Sequence, residues 1–183
     1  MLSPFTANAS ADKHLAESHR RVFKTSRLIA LLNIAAIVMA PIRLGIIGLS
    51  SSGWAASTLV PPLLHPILSD KYTVTALCTT SEESAKIAAE KYSKQFGHTV
   101  TPYFLPDGTR HIANDPNVDM VVVSIKMPMH YDALVPAIEA GKAIFVEWVP
   151  GKGFAETLKI AELIKKRGVR CLVGGQVLGK GIT

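Results

Sequence analysis

An α/β fold built on a doubly wound parallel sheet is predicted by three observations in this 183-residue chain. Residues 41–56, PIRLGIIGLSSSGWAA, join an apolar run to a glycine-marked turn and the start of a helix. Five further apolar runs follow, and segments of helical periodicity separate them. Hydrophobic residues make up 48% of the chain, yet no apolar run reaches the ~18 residues of a membrane span. Strands alternating with helices of this length imply right-handed crossovers and parallel pairing.

The first strand is Ile42–Ile47, and Gly45, Gly48 and Gly53 mark the strand and the turn after it. Gly48, Ser50 and Gly53 have the G-x-G-x-x-G spacing of a dinucleotide-binding turn, with serine at the middle position. In that motif the first glycine makes the tight turn, the second lets backbone approach a pyrophosphate, and the third lets helix pack on strand. The helix N-terminus offers free N–H groups to the phosphates. A glycine turn that binds nothing is the alternative at this stage. Helix is expected over residues 54–60. Pro61, Pro62 and Pro66 then force a kink or restart, because proline removes a helical hydrogen bond and clashes with the preceding turn. The segment ends near Asp70.

Residues 72–78 (YTVTALC) read as the second strand. Thr80-Ser81-Glu82-Glu83 has a capping-box pattern, Ala85, Ala88, Ala89, Tyr92 and Phe96 form an apolar stripe, and Gly97 is the stop. A short third strand covers 99–104. A turn at Pro106-Asp107-Gly108 and one or two helical turns over 109–113 come next. Residues 118–125 (VDMVVVSI) have the composition of a strand buried on both faces. Helix is expected over 130–140, with Pro136 inside and Gly141 as its cap. The fifth strand is 143–148 (AIFVEW), an amphipathic helix spans Phe154–Arg167 before Gly168, and the sixth strand is 169–174 (VRCLVG). The expected sheet order is 3-2-1-4-5-6.

Residues 1–40 differ from the rest. Lys13, Arg20, Arg21, Lys24 and Arg27 face only Asp12 and Glu17, so this extension holds half of the net charge of +6. Residues 28–40 (LIALLNIAAIVMA) are apolar. A targeting peptide is one reading; a start at Met39, or a disordered or loosely helical extension, is the preferred one. The remaining charge forms no basic tract, so neither nucleic acid nor membrane is expected as a partner. Cys78 and Cys171 fall in the second and last strands, about 19 Å apart at ~4.8 Å per strand step. That is beyond disulfide reach, and buried free thiols in a reducing compartment are expected.

Four segments in order, GIIGLSSSG, NVDMVVVSI, HYDALVPAIEAGKAIFVEW and VRCLVGG, resemble the N-terminal domain of the Gfo/Idh/MocA family, the glucose–fructose oxidoreductase and inositol dehydrogenase group. Within it, GLS for GLG, VSIKMPMHY and VEW are most similar to the fungal galactose-pathway regulators. The resemblance implies a Rossmann domain over residues 41–178 that binds NAD or NADP, followed by a truncated tail at 179–183. The second domain, which carries most substrate contacts, would be absent. It implies no catalytic residue in this chain: enzymes of the family carry Glu-Lys-Pro after the fifth strand, where this chain has Glu147-Trp148-Val149. An indole has one weak donor and does not titrate near neutrality.

Expected cofactor contacts are Gly48, Ser50, Ser51 and Gly53 at the pyrophosphate. Thr79 and Thr80 would meet the adenosine ribose, and Lys126, Glu147 and Trp148 the nicotinamide end. Lys126 would pair with a cofactor phosphate or with Glu147; Trp148 would pack on nicotinamide or fill core. His130 matches the family's helix-opening histidine and is read as structural. Thr79 stands where an acid would select NAD, with no arginine nearby to select NADP, so the choice stays open. Three functions are carried forward: a dinucleotide-binding domain, a regulator that senses dinucleotide and binds a protein partner, and a sugar or polyol dehydrogenase in its full-length form. The expected location is cytoplasmic, or nuclear for the regulator.

Overall fold

The computed structural model describes residues 40–175. The expectations on the N-terminal extension and on the tail lie outside the described residues. Six parallel strands form one sheet in the expected order, β3-β2-β1-β4-β5-β6. They are β1 (Ile42–Ile47), β2 (Tyr72–Thr79), β3 (Thr101–Phe104), β4 (Met120–Val123), β5 (Ala143–Glu147) and β6 (Cys171–Gly174). Seven helices connect them: α1 (Trp54–Thr58), α2 (Val60–Leu64), α3 (Pro66–Ser69), α4 (Glu82–Phe96), α5 (Gly108–Asn114), α6 (His130–Glu139) and α7 (Phe154–Arg167).

The period of two along β1 builds the core on both faces. Leu44 and Ile46 pack with Ala55, Val60, Ala88 and Tyr92 of α1, α2 and α4. Ile47 packs on the opposite face with Ile112, Leu134, Ile138 and Ile160 of α5, α6 and α7. Val121 and Val123 of β4 share that second face, and Val122 belongs to the first. Gly45 lets α5 approach β1 closely: an added Cβ would lie 2.8 Å from Cγ1 of Ile112 and 3.0 Å from Cγ1 of Val118.

Several elements depart from the sequence expectation for local reasons. The proline-rich segment forms three short helices. Leu59 keeps helical dihedrals between α1 and α2, whereas His65 is extended (ψ 141°), and Pro66 restarts the chain as α3. The α4 cap is Ser81, one residue later than the capping-box pattern placed it, and its hydroxyl accepts from the Ser84 N–H at 3.3 Å. Ser84 therefore takes the position needed by a glutamate, and the reciprocal bond of the box is not made. Strands β3, β4 and β6 start two residues late, and β5 ends at Glu147. Val118 is buried, but its N–H turns back to the Asp115 carbonyl at 3.1 Å, outside the ladder. Gly97 and Gly168 end α4 and α7 in the left-handed region, at φ 72° and 65°.

Both cysteines are free, with three strands between β2 and β6. Burial pushes the Cys78 thiol up to about 11. Cys171 is only partly buried, since β6 is the sheet edge, which corrects the expectation for that thiol. Among the described residues, no helix is long and apolar enough to cross a membrane.

Candidate functional site

The turn after β1 owes its shape to two glycines with different constraints. Gly48 has φ +98° and donates its N–H to the Cys78 carbonyl at 2.8 Å. An added Cβ there would collide with the Ser124 carbonyl and lie 2.7 Å from Cγ2 of Ile125, so β1 and β4 leave no room for a side chain. Gly53 has φ +107°, but its nearest neighbour would be Ser50 Oγ at 3.6 Å. Its backbone conformation requires glycine; close helix–strand packing, the role expected of the third glycine, does not. Ser50 occupies the middle position, and its hydroxyl donates to the Ser52 carbonyl. That proton is thus held inside the turn.

The turn separates its carbonyls from its amides. Gly48 O accepts from the Ser50 N–H at 3.2 Å, and Gly53 O accepts from the Ser57 N–H at 3.1 Å and the Ser57 hydroxyl at 3.0 Å. Ser50 O accepts from the Tyr92 hydroxyl at 2.8 Å, and Ser51 O from Lys91 Nζ at 2.7 Å. Among the described residues, no acceptor meets the N–H groups of Ser51, Ser52 or Gly53. Free amides beside bonded carbonyls give the turn a balance of partial charge that favours an anion. The five-residue α1 adds little dipole, so the donors are the turn's own amides.

A cleft of about 540 Å³ opens beside the turn, at the C-terminal ends of β1, β2 and β4. Gly48, Thr79 and Thr80 line it, with Leu105, Pro106 and Met129 supplying apolar wall. Thr79 is buried, and its hydroxyl donates to the Ser81 carbonyl at 3.0 Å. The lining contains no lysine or arginine; Asp132 is its one carboxylate. Shape and composition suit an adenosine moiety.

At the ends of β4 and β5 a second group forms. Glu147 Oε1 accepts from the Ser124 hydroxyl at 2.7 Å and from the Trp54 indole N–H at 2.9 Å. Lys126 is exposed and makes no ion pair with Glu147, which removes that pairing. Trp148 is 71% exposed and therefore fills no core. His130 is 1% exposed, with Nδ1 2.9 Å from the Val149 carbonyl and Nε2 3.0 Å from the Ile125 carbonyl. The ring lies between the two loops, in line with its structural reading.

The fold thus gathers Gly48, Thr79 and Thr80 at one cleft, and Ser50, Ser51 and Gly53 in the turn. Glu147 is anchored to α1, and Lys126 and Trp148 stand in solvent at the strand ends. Sequence reasoning missed Trp54, Lys91, Tyr92 and Asp132 as contributors. Only Tyr92 carried a signal, as one member of the α4 apolar stripe.

A family model described as oxidoreductase family, NAD-binding Rossmann fold, matches residues 42–175. Dehydrogenase aclE of Aspergillus oryzae is 34% identical over 137 residues, which is 73% of this chain and 35% of that protein. The galactose/lactose metabolism regulatory protein GAL80 of Saccharomyces cerevisiae is 30% identical over 144 residues, 75% of this chain and 31% of that one. The crystal structure of a super-repressor mutant of Gal80p from the same yeast superposes with a TM-score of 0.63 at 28% identity, covering 74% of this chain and 34% of that chain. The chain spans about a third of the length of the curated relatives it matches.

Proposed function

This chain belongs to the Gfo/Idh/MocA oxidoreductase family as its NAD(P)-binding Rossmann domain, and from that premise we propose that it binds the dinucleotide without transferring hydride. Gly48, Ser50, Ser51 and Gly53 hold the pyrophosphate, Thr79 and Thr80 the adenosine ribose, and Lys126, Glu147 and Trp148 the nicotinamide end. The observation that carries the proposal is the state of Glu147-Trp148: the carboxylate is held by Ser124 and Trp54, and the neighbouring side chain is an exposed indole. No group at Trp148 can deliver a proton, so general acid chemistry has no agent there. A protein that reports dinucleotide occupancy to a protein partner fits these residues best. Its location would be cytoplasmic or nuclear, in line with two free thiols.

The 34% identity to a dehydrogenase favours a second reading, a sugar or polyol dehydrogenase in the full-length form. Calorimetric titration of this chain with NADH and NADPH tests the binding, and a hydride-transfer assay of the full-length protein over a panel of sugars and polyols separates the two. We expect binding and no NAD(P)H formation above background. Turnover would overturn the non-catalytic reading, and absence of binding would remove the cofactor assignment.

A further inference from the structure

We propose that Lys91 and Tyr92, adjacent on α4, are positioning residues for the pyrophosphate: they fix two successive carbonyls of the turn so that the Ser51 and Ser52 amides face the ligand. The inference rests on the dinucleotide reading above and extends it to residues outside the glycine motif.

In a trans peptide the carbonyl and the N–H point in opposite directions across one rigid plane. The cis bonds among the described residues are Leu105–Pro106 and Trp148–Val149, so the Ser50–Ser51 and Ser51–Ser52 peptides are trans. The Tyr92 hydroxyl fixes the first of these planes through Ser50 O, and Lys91 Nζ fixes the second through Ser51 O. Both carbonyls are thereby drawn towards α4, and both N–H groups are turned away from it. Those are amides that no protein acceptor among the described residues meets.

Each anchor is itself held. Tyr92 is 0% exposed and packs in the cluster containing Ala85, Ala88 and Ala89, so its hydroxyl has a fixed place. Lys91 Nζ lies 5.2 Å from the centroid of the Tyr92 ring. Among the described residues it has no carboxylate partner, whereas Lys86 and Lys94 on the same helix pair with Glu82 and Glu90. Its charge therefore stays available beside the turn, where it also attracts a pyrophosphate through space.

The test is calorimetric titration of the chain with NADH and ADP, and NMR titration with adenosine, for the parent, Tyr92→Phe, Lys91→Met and Lys91→Arg. Losing one neutral hydrogen bond corresponds to an affinity change of about two- to twelvefold. We expect Tyr92→Phe to weaken NADH and ADP by that factor with adenosine unchanged. Lys91→Met, which removes a charged donor, should weaken both at least as much and flatten the salt dependence, and Lys91→Arg should restore both. Equal weakening of adenosine would make the two residues merely structural, and unchanged NADH affinity in both variants would overturn the inference while leaving the cofactor assignment intact. A parent that binds neither NADH nor ADP overturns both. If Tyr92→Phe fails to fold, the exposed Lys91 pair of variants decides alone.

Discussion

At Gly48 and Gly53 a single methyl group meets two different obstacles, and the two costs can be measured apart. An alanine at Gly48 is forced both into a left-handed conformation and against the Ser124 carbonyl and Ile125 Cγ2. The first costs ~1–2 kcal/mol and overpacking typically ~1–3 kcal/mol more. Gly53→Ala meets only the conformational cost, since its nearest neighbour is 3.6 Å away. Urea unfolding should therefore show a loss of about 2–5 kcal/mol for Gly48→Ala and about 1–3 kcal/mol for Gly53→Ala. Equal losses would mean that the β1–β4 approach yields easily. The glycine spacing was readable in the sequence, but which constraint acts at each position was not. The obstacle at Gly48 comes from residues some seventy-six positions away, brought close by a strand pairing. Tyr92 shows the same limit from the other side: its place in an apolar stripe is legible, but the direction of its hydroxyl depends on where the turn lies.

Among the elements, the link between the loops after β4 and β5 runs through one side chain at the start of α6. His130 lies between the Ile125 and Val149 carbonyls at a site that is 1% exposed, so removing it takes the ring N–H donor from a buried carbonyl. His130→Phe keeps an aromatic ring and removes the donor. One orphaned buried group costs ~1–3 kcal/mol, and we expect denaturant unfolding to lose about that much. A change below about 0.5 kcal/mol, the scale of an ordinary surface substitution, would show that the loops are held by other contacts. Long periodic elements were the easiest to read: Phe154–Arg167 and its left-handed Gly168 stand as the sequence indicated. The strand ends were overextended because apolar character outlasts pairing. Val118 is core without being ladder, and Val169 packs against the core ahead of β6. Three prolines announced the break after the glycine turn, but their sequence alone did not give the number of pieces, which depends on His65 adopting an extended conformation.

Across the whole molecule, alkaline stability reports how deeply the sheet buries a thiol. Cys78 is 1% exposed, and its pKa rises from 9.0 to about 11 through desolvation. Because the folded value is raised, its contribution to stability is complete below pH 9. It declines as the unfolded chain ionises first and is gone above about pH 11. The two-unit difference corresponds to a loss on the order of 2–3 kcal/mol across that window. Tyr92 and Tyr103 are also raised by burial and act in the same direction. Unfolding free energies measured from pH 8 to 11 should therefore fall less steeply in Cys78→Ala than in the parent; parallel curves would contradict the assignment. The sheet order itself was legible because alternating strands and helices leave few handed solutions. That order also has a history in time. The strand that ends in the middle of the sheet is made first, and its second neighbour, β4, begins about seventy residues after β1 ends. At ~5–20 residues per second, the ribosome leaves one side of β1 without its partner for about 4–15 s. During synthesis, then, the segment that carries the cofactor turn is also the one that waits longest to be closed.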